Sequence, residues 1–146
     1  MNLSLLLALV LSFNAGLSQE DAIQAELKKL DGTWNVTALE SAGIKLPDNY
    51  LKQENMAFVF KSDKMTVKKG TQTVTDSTVK IDPAKSPKTL DATATDGMGK
   101  GKTILIIYEL TGDSLKIARY LPGTTGRPSG FDDKANLMVF TLTRQK

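Results

Sequence analysis

Two periodicities divide the chain. From Glu20 to Leu30 the apolar residues Ile23, Leu27 and Leu30 recur at i, i+4 and i+7, with Glu20 and Asp21 at the start and Lys28 and Lys29 at the end. That spacing predicts a short amphipathic helix whose charges suit its macrodipole. After Asp31-Gly32 the period drops to two. Trp34, Val36 and Ala38 alternate with Thr33, Asn35 and Thr37, and β-branched residues become frequent, as in a half-buried strand.

Seven further strands are predicted at Met56 to Phe60, Lys64 to Lys68, Gln72 to Ile81, Lys88 to Thr95, Thr103 to Leu110, Ser114 to Leu121 and Asn136 to Arg144. Ser62-Asp63, Lys69-Gly70-Thr71, Asp96-Gly97 and Thr111-Gly112-Asp113 supply the turn chemistry between neighbours, through positive φ or side-chain capping. Strands linked by hairpins in this way predict an all-β fold, an eight-stranded antiparallel up-and-down meander. Closing it into a barrel removes the edges that an open sheet would have to protect. A sandwich would call for long Greek-key crossovers.

Three segments fall outside the meander: Gly43 to Glu54, Asp82 to Pro87 and Pro122 to Ala135. The last is the longest and holds Pro122, Gly123, Gly126, Pro128 and Gly130. It reads either as a recognition loop on a rigid scaffold or as an unstructured connection.

Ahead of the helix, Leu3 to Phe13 form an apolar block of 11 residues, followed by Asn14, Ala15, Gly16, Leu17 and Ser18. The block is well short of the roughly 20 residues of a membrane-spanning helix. Gly16 and Ser18 put small residues at −3 and −1 of a cut before Gln19. This predicts a signal peptide over 1–18, cleaved after Ser18, and one domain over 19–146, secreted or periplasmic and without a stable membrane anchor once cut. No Lys or Arg precedes the block, so a retained anchor is the alternative.

Composition narrows the chemistry. The 146 residues include no His and no Cys. Sites built on imidazole or thiolate are therefore excluded, as are disulfides. With 40% hydrophobic and 24% charged residues and a net charge of +3, the composition is that of a soluble globular domain whose core suffices without crosslinks.

At Gly32-Thr33-Trp34 the chain resembles the opening signature of lipocalins and other calycin barrels, Gly-x-Trp at the start of the first strand after a short helix. Thr143-Arg144 resembles the companion at the barrel's end. The resemblance implies that Gly32, Trp34 and Arg144 are structural, the basic residue stacking over the indole. A closer resemblance is to a family of secreted lipocalin-like domains of unassigned function, abundant in planctomycete bacteria. It is carried by Leu30-Asp31-Gly32-Thr33-Trp34, Gly43-Ile44-Lys45-Leu46-Pro47, Ile81-Asp82-Pro83, Gly101-Lys102-Thr103, Ile107-Tyr108-Glu109-Leu110 and Gly112-Asp113-Ser114-Leu115-Lys116-Ile117. The likeness runs from about Leu30 to Arg144 and implies a fold rather than an activity. The chain departs from it at Ala118-Arg119, where relatives often have Cys after the Lys-Ile pair.

Several motifs invite chemistry and do not support it. Asp96-Gly97-Met98-Gly99-Lys100-Gly101-Lys102-Thr103 approaches a phosphate loop, but Asp96 stands where the first glycine belongs and an apolar strand follows instead of a helix; a basic hairpin loop is the better account. Asp132-Asp133, Asp31, Glu109 and Asp113 lack the spacing of a hard-cation loop and read as turn and rim acids. The sequon Asn35-Val36-Thr37 has no meaning in a bacterial periplasm. Lys61, Lys64, Lys68, Lys69, Lys100 and Lys102 lack interleaved aromatics, so nucleic acid is not an expected partner. No catalytic residue, cofactor or metal is expected, and the protein reads as a non-enzyme.

The barrel interior is the candidate site. With Trp34 inward by the calycin pattern, alternation makes Val36 and Ala38 inward too. The later inward stripes are Met56/Phe58/Phe60, Ile104/Ile106/Tyr108 and Leu115/Ile117/Arg119. Phe58, Phe60, Ile106, Tyr108, Ile117 and Arg119 are the candidate ligand-binding residues, Tyr108 and Arg119 being the polar groups that would orient a small apolar or amphipathic molecule. The alternative is a filled core with Arg119 turned outward. A carrier with a small hydrophobic ligand then competes with an extracytoplasmic protein-interaction module. The second class includes the periplasmic protease inhibitors, which resemble this chain in having a calycin barrel and a short N-terminal segment before Gly-x-Trp.

Overall fold

The computed structural model describes residues 18–146. The segment 1–17, which carries most of the expected signal peptide, lies outside the described residues. Helix α1 spans Gln19–Leu30, with Ser18 as its N-cap accepting from the Asp21 amide at 3.1 Å. Nine strands follow: β1 Gly32–Ser41, β2 Ile44–Lys45, β3 Met56–Lys61, β4 Lys64–Lys69, β5 Gln72–Asp82, β6 Lys88–Gly97, β7 Thr103–Thr111, β8 Ser114–Tyr120 and β9 Leu137–Arg144. Each pairs antiparallel with its neighbour in the order β2-β1-β3-β4-β5-β6-β7-β8-β9, and β1 also pairs with β9. That last pairing closes eight strands into a calycin-like barrel, with β2 a short addition outside the ring.

Turn residues fix the meander locally. Gly97 takes φ +80°, and a Cβ there would collide with the Val74 carbonyl, so only glycine allows β6 to turn against β5. Gly32 takes φ +130°, where a Cβ would stand 3.0 Å from Arg144 Nη1. Farther along this strand, Thr37 forms a bulge between Val36 and Ala38 in the pairing with β9. The bulge reverses the inward parity. Leu39, not Ala38, therefore enters the core, while Ala38 faces the outer surface beside Glu40 and Thr141. The inward placement of Ala38 is thus corrected.

One segment read as irregular is partly regular. Gly43 to Glu54 contains β2 and helix α2, Asp48–Glu54, whose Leu51 joins the core. Residues 121–136 are ordered against the barrel's outer face, where Phe131 and Tyr120 pack on Ile107, Ala118, Leu137 and Val139. The unstructured alternative for Pro122 to Ala135 is thereby set aside.

The two ends of the barrel differ. At one end α1 lies across the opening, burying Leu27 and Leu30 above Trp34, Phe60 and Leu115. Trp34 Nε1 donates to the Leu30 carbonyl at 2.8 Å, and the Arg144 guanidinium stacks 4.3 Å from the Trp34 ring centroid. The other end stays open. The β4–β5 and β6–β7 hairpins and the chain leaving β8 surround its mouth.

Candidate ligand-binding cavity

A cavity of about 540 Å³ occupies the open half of the barrel, within the range of small-molecule sites. Its origin is a taper in residue size. Going from closed to open end, β5 turns inward Ile81, Val79 and Ser77, while β6 turns inward Leu90, Ala92 and Ala94. The paired ladder sets Ser77 opposite Ala94, and two small side chains leave a volume unfilled where larger ones would meet. Phe58 and Phe140 stand below it with ring centroids 5.4 Å apart and planes tilted by 56°.

Four of the six candidate residues line this space: Phe58, Ile106, Ile117 and Arg119. Phe60 and Tyr108 do not. Both point into the barrel but are buried in the packed closed half, so Tyr108 is not placed to orient a ligand in the cavity. Its hydroxyl instead donates at 3.1 Å to Glu26 of α1. Burial first, and the Glu26 carboxylate second, hold the Tyr108 phenol far above its ordinary range.

Glu26 is a buried residue that the apolar pattern of the helix alone does not predict. It is 4% exposed and takes Lys88 Nζ at 2.7 Å as well as the Tyr108 hydroxyl. Lys88 and Tyr108 are cross-strand partners on β6 and β7, so the ladder aims both at the helix. The signal was present in the spacing: Glu26 sits three residues after Ile23 and four before Leu30, on the helix face that packs down. A carboxylate there is tolerated because it is paired and hydrogen-bonded.

At the mouth, Lys69 pairs with Glu54 at 3.0 Å, Lys102 is exposed, and Arg119 is half-buried. Arg119 Nε donates to the Tyr120 carbonyl at 3.1 Å. Burial lowers the pKa of its guanidinium, and no other cause contributes. Met98, on the β6–β7 hairpin that resembles a phosphate loop in composition, is 73% exposed at the rim. That segment enters β7 rather than a helix.

Three of the acids on the turns and rim hold structure. Asp31 accepts from the Ser62 amide at 2.8 Å, Asp113 from Arg144 Nε at 3.1 Å and Asp133 from Asn136 Nδ2. Among the described residues no group of three His, Cys, Asp or Glu is placed to hold a metal ion, and no helix is long and apolar enough to cross a membrane. Comparison of the chain with protein-family models, curated protein sequences and solved structures gives no match.

Proposed function

We propose that this protein is a secreted, non-enzymatic lipocalin-like carrier that holds a small apolar or amphipathic molecule in the open half of its barrel. The cavity is the observation that carries the reading: an apolar volume of about 540 Å³ with a charged rim is the form that such carriers take. Secretion is supported by the apolar block at Leu3 to Phe13 and the small residues after it. Kinship with the secreted lipocalin-like domains of planctomycetes rests on the motifs from Leu30 to Ile117, and binding without catalysis on a chain lacking His and Cys.

The interaction-module reading has one observation in its favour, the ordered loop over β7–β9. Against an inhibitor that would insert its N-terminal segment into a protease cleft, the segment before Gly32 is a helix with Leu27 and Leu30 buried on the barrel. It is not a free arm.

Native mass spectrometry of the protein, purified from its expressing cells without detergent or denaturation, tests the carrier reading. The expected spectrum shows a reproducible extra mass that is released on denaturation. A bare protein mass, together with no uptake of apolar probes, would overturn the reading and turn attention to the outer surface.

A further inference from the structure

The described residues include three arginines, and two of them have an acid. Arg127 pairs with Asp91, and Arg144 bonds Asp113 at 3.1 Å. Arg119 pairs with no carboxylate among the described residues. Its one bond within the protein is from Nε to the Tyr120 carbonyl, which leaves both terminal nitrogens of a five-donor group without a protein acceptor. The register explains the placement. The β7–β8 ladder ends at Ile107–Ala118, so Arg119 lies one step beyond it toward the mouth. There it lines the cavity with Ile106 and Pro122.

A half-desolvated cation without a partner is costly, and the planar guanidinium fork fits carboxylate and phosphate oxygens. Lys102 adds a second positive charge to the same rim, whereas the nearby Lys69 is already paired with Glu54. Beneath them the walls are apolar down to Phe58 and Phe140. An unpaired cation above an apolar shaft matches a molecule with an anionic head and a hydrocarbon tail.

We propose that the cavity selects a single-chain amphiphile with an anionic head group, tail toward Phe58 and Phe140, and that Arg119 holds the head. This rests on the carrier reading and adds head-group charge to it. Carboxylate and phosphate heads share the chemistry, so the free fatty acid and the phosphorylated alkyl chain are separated by measurement.

The test is calorimetric titration of the delipidated full chain with four ligands of one tail length: dodecanoate, dodecyl phosphate, dodecanol and dodecylammonium, all below their micelle concentrations. The expected order places both anions at least about tenfold tighter than dodecanol, as one charge-assisted contact predicts, with dodecylammonium weakest. In Arg119→Gln the anions fall to the affinity of dodecanol, which itself is unchanged; Arg119→Lys recovers part of the difference. Dodecanoate above dodecyl phosphate identifies a fatty-acid type of ligand, and the reverse order a phosphate head. If Arg119→Gln does not fold, the anion preference of the wild type and its weakening by salt decide the matter. Equal affinities for dodecanoate and dodecanol would overturn this inference and leave the carrier reading standing; binding of none of the four would overturn both.

Discussion

The Arg144 guanidinium stacks 4.3 Å from the ring centroid of Trp34, and through that contact the last strand is bound to the first. The same guanidinium donates to the carbonyls of Lys29 and Asp31 and bonds Asp113. It therefore ties helix α1, the β7–β8 turn and the closing seam at one point. Arg144→Met should cost about 2 kcal/mol of unfolding free energy, from the lost stack and hydrogen bonds together. Urea denaturation measures it, and a loss below about 0.5 kcal/mol, the level of an ordinary surface change, would remove this closure role.

The Trp34–Arg144 relationship was legible in the sequence because Gly-x-Trp and a basic residue near the end are fixed points of a known pattern. The strands were legible too, since turn glycines and two-residue alternation mark them on both sides. Three features escaped for local physical reasons. The bulge at Thr37 inserts one residue and reverses parity, which no alternation rule foresees. Helix α2 has only seven residues, too few to show a period. The hollow half depends on Ser77 and Ala94 facing each other in one layer, with Ala92 one step below, and a layer is a property of register rather than of any one strand.

The buried Tyr108 gives the protein a definite alkaline response. Its folded pKa is raised, so between the ordinary phenol pKa near 10 and the higher folded value the unfolded chain loses a proton that the folded one keeps. Stability from this residue is intact below about pH 10 and falls by about 1.4 kcal/mol per pH unit above it. Tyr108→Phe removes that slope. Urea unfolding of both proteins at pH 9 to pH 11 checks it, and parallel curves would show that the hydroxyl is not held neutral by the core.

The loop over 121–136 hangs on Arg127, which donates to the Ile106 carbonyl at 2.7 Å and pairs with Asp91. The Ile106 carbonyl lies beyond the end of the β7–β8 ladder, so the side chain supplies a donor where β8 has diverged. Arg127→Ala should speed amide exchange across 121–136 by about tenfold or more, with global stability falling by only about 1 kcal/mol. Unchanged exchange in that segment would mean that Phe131 and Pro128 hold the loop alone.

Filling the cavity separates binding from folding. Ala94 is an inward residue of its wall, and Ala94→Phe places a ring in space that the wild type leaves open. Unfolding free energy should shift by no more than about 1 kcal/mol, less than overpacking costs in a full core. Dodecanol and dodecanoate should both lose at least about tenfold in affinity by calorimetry. Retained affinity would place their site elsewhere on the protein.

The most direct test is a crystal structure grown with dodecanoate carrying bromine on its terminal carbon, located by anomalous scattering. The expected peak lies inside the barrel among Phe58, Ile117 and Phe140, with the carboxylate at Arg119. Bromine found only on the outer surface, or inner side chains collapsed across the space, would contradict the hollow barrel as a binding site.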